Sequence, residues 1–289
     1  VRESLGDLIR EACVQSDWRL DNDRPVLLAS DDPITEAINN TRSRALETLV
    51  NYGFWIHRHL PEDQLLEVTE TLALRMAENA AFPLTRPEHA LLGMHFGNLL
   101  SLNRDWAVRE KELFFPQASE EMWWCAFSSF IRFNRPNTST FKVLRCQFEY
   151  ATENIDALTN NKSHGESLID RLGQHLFVYY LWGLYPLIGN ESLLARFYEK
   201  TNECRQRWGK LFDYVGRSLT NSEGQFDQAL VDRIIAFFDW RFDAIEPLEL
   251  REFTFWLEAE CLNSSWRLQS YSRILDIISS NDVGLSIQV

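Results

Sequence analysis

The chain has 289 residues, 45% of them hydrophobic, which is enough to bury a large core in one elongated domain or two compact ones. Its formal net charge of −13 leaves no excess of Lys and Arg to neutralise phosphates, so binding to nucleic acid is not expected. Only 9 prolines and 12 glycines punctuate it, too few for many short strands, while 10 tryptophans and 19 phenylalanines point to a ring-filled core.

Taken in chain order, apolar spacing predicts helices over 3–16, 33–60, 62–81, 87–103, 105–115, 119–134, 139–158, 167–188, 190–216, 225–243, 247–262 and 265–279. Between the first two, "RPVLLAS" (24–30) reads as extended linker. The start signals are specific. Asp32 can cap a helix whose first turn holds Pro33, and Pro61, Pro87 and Pro247 stand at further starts. Ser119 precedes Glu120 and Glu121, and Ser264 and Ser265 precede Trp266. "STFKVLRCQF" (139–148) could pass for a strand, but its continuation into "EYATENIDAL" decides for helix.

The fold class that follows is all-α. Helices recur every 20–30 residues with short joins, the rhythm of stacked helical hairpins. No exact repeat is visible, so the expectation is a degenerate HEAT-like α-solenoid, with a compact irregular bundle as the alternative. One elongated domain over 1–289 is expected, bending at 159–167 and 217–225. The start at Val1, already helical in pattern and without a signal-peptide motif, reads as a piece of a longer chain.

Searching the same sequence for chemistry returns little. Cys13, Cys125, Cys146, Cys204 and Cys261 are odd in number and scattered, the usage of a reducing, cytoplasmic compartment. His57 and His59 diverge on a helix, and no HExxH or Cys/His spacing suggests a metal. Gly93 and Gly97 in "GMHFGN" lack the third glycine of a dinucleotide loop and read as close-packing positions. There is no phosphate loop and no nucleophile elbow. The expectation is therefore no cofactor, no metal, no catalytic residue and no membrane span, since "HLFVYYLWGLYPLIG" (175–189) is short and broken by Pro186.

Two features stand out as candidate sites. On a helical wheel from Ile34, Arg42 falls inside the stripe of Ile34, Ile38, Ala45, Leu49, Tyr52 and Ile56, while Arg44 faces solvent. A guanidinium on a buried face needs partners, so Arg42 is read as a polar staple between helices, with Asn39 and Asp105 as candidate members of its network. A ligand-binding role for Arg42, in an enzyme site assembled between helices, is the alternative. The second feature is "EMWWCAFSSFIRF" (121–133). It reads as a helix between two layers, with Trp123 and Trp124 as candidate partner-binding aromatics should they be exposed.

"DPITEAINNTRSRALETLVNYGFW" resembles a D-P-V-T-x-A-I-N-S-V-R-G-x-A segment of large bacterial helical proteins that carry SIR2-type or STAND-type NTPase domains and serve antiviral defence. "FGNLLSLNRDWAVREKELFFP" and "WWCAFSSFIRFNRPNTSTFKVLRCQFEYA" resemble the blocks that follow, so the similarity covers about residues 31–151. Ser43 stands where that pattern has Gly, which suggests a helix that simply continues. What the resemblance implies is a non-catalytic helical sensing or scaffolding region that meets protein partners, with any catalytic centre elsewhere in a longer chain.

Overall fold

The structure, a computed structural model, describes residues 2–14, 32–61, 65–77, 80, 83–155, 168–220, 226–244 and 246–280. The described residues form helices and turns, without a strand. The expected linker at 24–30 and the expected bend at 159–167 lie outside them, as does most of the bend at 217–225. Internal contacts divide the chain into two compact units, Val1–Gln147 and Phe148–Val289, where a single domain was expected.

The first unit contains α1 (Arg2–Val14), α2 (Pro33–Asn39), α3 (Thr41–His59), α4 (Leu66–Met76), α5 (Arg86–Leu102), α6 (Arg104–Arg109), α7 (Lys111–Phe114) and α8 (Glu120–Phe133). It also holds most of α9 (Thr138–Glu153), which kinks at Leu144 shortly before the boundary. Expected and observed helices agree closely, with physical reasons for each interruption. Asn40 adopts an extended conformation (φ −103°, ψ 126°), and its side chain accepts the Ser43 N–H at 3.2 Å, so it caps a new helix inside the expected 33–60 segment. That break resets the helical phase and leaves Ile38, expected in the stripe, 60% exposed.

α5 is the central element of this unit. Pro87 lies in its first turn, and Thr85 and Glu88 form a capping box. Residues Pro87–Gly93 are all buried. Its closest neighbour is α8: a Cβ on Gly93 would lie 2.0 Å from the Ala126 carbonyl oxygen, so only glycine permits this approach. Phe96 then meets Phe114 and Phe115 edge-on, with centroids 5.3 and 5.1 Å apart.

The second unit contains α10 (Leu168–Leu181), α11 (Leu193–Lys200), a 3₁₀ turn (Asn202–Cys204), α12 (Gln206–Thr220), α13 (Gln228–Asp243), α14 (Pro247–Leu250), α15 (Thr254–Glu258) and α16 (Ser264–Ser280). Its core is aromatic. Phe212 and Trp256 stack at 4.7 Å, Phe237 and Phe238 pack beside them, and the Trp256 indole donates to the Phe212 carbonyl at 3.0 Å. The helix expected over 167–188 stops at Leu181, where Gly183 turns left-handed at φ +70°. The segment expected as one helix over 190–216 is split by the turn at Thr201–Arg205.

Candidate functional site

Arg42 is the point where sequence and structure meet most directly. It is 5% exposed on α3, and its Nη2 lies 3.0 Å from Glu88 Oε2 and donates to the Pro83 carbonyl at 2.9 Å. From α4, Arg75 Nη2 donates to the other carboxylate oxygen, Oε1, at 2.7 Å. Thr85 adds two donors to Oε2, its N–H at 2.9 Å and its hydroxyl at 2.8 Å. Glu88 itself is fully buried, so one carboxylate ties α3, α4 and the start of α5 together. Burial lowers the pKa of Arg42, and Glu88 opposes that shift.

The expected partners of Arg42 are corrected. Asp105 is exposed on α6 and Arg42 pairs with Glu88 instead; the cap of α6 is Asn103, whose side chain accepts the Trp106 N–H at 3.1 Å. Asn39 is also exposed and bonds only locally, donating to the Thr35 carbonyl at 2.9 Å, because the break at Asn40 turns it away from the stripe. The staple is present with other members. Arg42 is buried and its guanidinium already holds the Glu88 carboxylate and the Pro83 carbonyl. Glu88 had a local signal, since "TRPE" is a threonine followed three residues later by glutamate.

Trp123 and Trp124 are buried, at 0% and 6% exposed, and are corrected as partner-binding aromatics. Trp123 stacks on Phe127 at 4.7 Å and its indole donates to Gln147. The ring that α8 does leave outside is Phe133 at its last position, 46% exposed beneath the Arg132 guanidinium.

Sequence reasoning missed a second buried ion pair. Arg241 on α13 grips Glu249 on α14 with Nε at 2.9 Å from Oε1 and Nη2 at 2.7 Å from Oε2. Tyr198 donates its hydroxyl to the same carboxylate at 3.1 Å. The guanidinium lies 3.9 Å from the Tyr198 ring centre, 4.8 Å from that of Trp240 and 4.9 Å from that of Trp208. Burial works against the charge of Arg241, yet Glu249 outweighs it and the pKa is raised. The pair is eight residues apart across Pro247, beyond any helical spacing, so no local motif marks it.

Cys13 is buried near Arg75 and Glu88, and burial pushes its thiol up to about 12, which keeps it protonated and inert. Among the described residues no group of three His, Cys, Asp or Glu is placed to hold a metal ion, and no helix is long and apolar enough to cross a membrane.

What the second unit does display is apolar surface on a braced turn. Between α10 and α11, Trp182 is 42% exposed and Ile188 65% exposed, with Pro186 also outside. The backbone beneath them is held from several sides. Arg233 Nη1 donates to the Leu181 carbonyl at 2.9 Å, and the same guanidinium packs so closely on Gly183 that a Cβ there would lie 2.8 Å from Nη2. Tyr180 donates to the Arg233 carbonyl at 2.8 Å, Tyr185 to that of Leu176, and Ser192 to that of Leu187. Comparison with protein-family models, with curated proteins and with solved structures returns no match to this chain.

Proposed function

We propose that this chain is a non-catalytic helical interaction module of a larger bacterial defence-type protein, working in the cytoplasm through a protein partner. In this reading each unit is an irregular stack of helical hairpins in the HEAT manner, and the partner meets the turn over Leu181–Ser192. The observation that carries it is the exposure of Trp182 and Ile188 on a backbone fixed by hydrogen bonds from Arg233, Tyr185 and Ser192. A rigid apolar tip loses little entropy when it docks, which is what a binding knob requires. Buried arginines support the same reading from the other side. Arg42 and Arg241 are committed to Glu88 and Glu249 and hold helices together. With a net charge of −13, the partner that suits this surface presents an apolar pocket with a basic rim.

The resemblance over residues 31–151 supports the placement in a defence-type protein. The test is direct. The isolated chain should leave NAD and nucleoside triphosphates unhydrolysed, and a photo-reactive residue at position 188 of the full-length protein should crosslink to one protein in cells. Turnover of either nucleotide that is abolished by a single substitution in this chain would refute the non-catalytic reading.

A further inference from the structure

A cleft of about 280 Å³ lies between α12 and the α14 turn of the second unit. Its floor depends on Gly209, where a Cβ would come within 3.2 Å of the Leu248 carbonyl oxygen. Three cations line it, Lys210, Arg217 and Arg251, against two acids, Asp213 and Glu252. Asp170, just outside the lining, lies 3.4 Å from Lys210, so each cation of the cleft has an acid beside it and what counts is which nitrogens those acids leave open.

The way the two arginines are held gives the cleft its chemistry. Arg217 donates Nε to Asp213 Oδ2 at 2.7 Å and lays its guanidinium 4.0 Å from the Phe255 ring centre. Arg251 donates Nε to Glu252 Oε1 at 3.0 Å. In both cases the acid takes the inner nitrogen. Among the described residues, the paired terminal nitrogens of both guanidinium groups have no hydrogen-bonding partner. Lys210 is shared with Asp170 at 3.4 Å and is 62% exposed, free to turn toward a ligand. Two guanidinium groups with their terminal nitrogens open, lining one cleft with an ammonium, offer donors that suit the several oxygens of a tetrahedral dianion.

We propose that this cleft binds a small phosphate-bearing ligand through Arg217, Arg251 and Lys210. The proposal is independent of the docking turn, since it uses other residues of the unit. Inorganic phosphate is the probe, titrated into the 289-residue chain and followed by amide shifts in NMR, with acetate and chloride at matched ionic strength as parallel arms. Saturable phosphate shifts centred on Gly209, Lys210, Arg217 and Leu248 are expected. The affinity should fall by about tenfold or more in Arg217→Gln/Arg251→Gln, as the loss of charge-assisted hydrogen bonds requires. Should the double variant fail to fold, Lys210→Gln alters only an exposed side chain and should weaken phosphate severalfold. Chloride reproducing the shifts, acetate binding as tightly as phosphate, or unchanged affinity in a folded variant would each overturn the proposal.

Discussion

Removing Arg42, Glu88 or Arg44 one at a time separates a buried charge from a surface one. Arg42→Ala deletes a guanidinium that is 5% exposed, breaks its pair with Glu88 and strips the Pro83 carbonyl of its donor. Glu88 nevertheless keeps Arg75 at 2.7 Å and both donors of Thr85, so its charge stays paired. The cost should therefore sit near the low end for a broken buried pair, about 3 kcal/mol. Glu88→Ala is worse, because it leaves two buried guanidiniums near each other with no anion between them. About 5 kcal/mol or more is expected there. Arg44, 57% exposed and paired only with Glu47 one turn on, should cost within about 0.5 kcal/mol. Urea melts read by tryptophan fluorescence resolve these steps: with a slope of about 2 kcal/mol/M, Arg42→Ala moves the midpoint by roughly 1.5 M. Equal midpoints for the Arg42 and Arg44 variants, or a milder Glu88 variant than either, would refute the reasoning.

Three further outcomes are expected. Gly93→Ala should destabilise the chain by about 3 kcal/mol or prevent folding, because the new methyl would meet the Ala126 carbonyl 2.0 Å away; circular dichroism melts check it. Arg241→Lys should lower the thermal midpoint clearly, since an ammonium can neither span both oxygens of Glu249 nor lie flat between Tyr198, Trp208 and Trp240, whereas Tyr198→Phe should cost only about 1 kcal/mol. The third concerns acid. Burial lowers the pKa of His89 and His95, against the opposing charges of Glu88 and Glu47 respectively. Below the unfolded histidine value of about 6.5 the unfolded chain binds more protons, so stability is full above that pH and falls as pH drops through it. Urea midpoints at pH 7.5 and pH 5.5 should show the drop, and His89→Gln should shrink it.

How much of this could be read from the chain depends on whether the cause is local. Helix starts were legible because Pro33, Pro87 and Pro247 act within one turn, although the side chain that caps α16 belongs to Asn263, which accepts the Ser265 and Trp266 N–H groups, and not to the serines. The burial of Arg42 was legible for the same reason, as one residue set against its own helix's apolar stripe. Its partner was not. Glu88 lies 46 residues on, at the start of another helix, and meets Arg42 only through the tertiary fold that also sets the Pro83 carbonyl against the same guanidinium. The cap at Asn40 was misread as helix interior, since asparagine is tolerated in both settings and its bond to the Ser43 N–H is visible only in three dimensions. The aromatic cage of Arg241 was hidden completely. Tyr198, Trp208 and Trp240 come from three helices, and each alone looks like ordinary core. Exposure was the least legible property: the rings in "EMWWCAF" are inside, and the tip of "LWGLYPLIG" is outside.

Crosslinking from position 188 of the full-length protein tests the docking account most directly, with position 252 in the charged cleft as the comparison. The account expects one protein to be trapped from position 188, and the yield to collapse when Trp182 is changed to Ala with the fold intact. An equal yield from both positions, or a yield from 188 that Trp182→Ala leaves untouched, would contradict it.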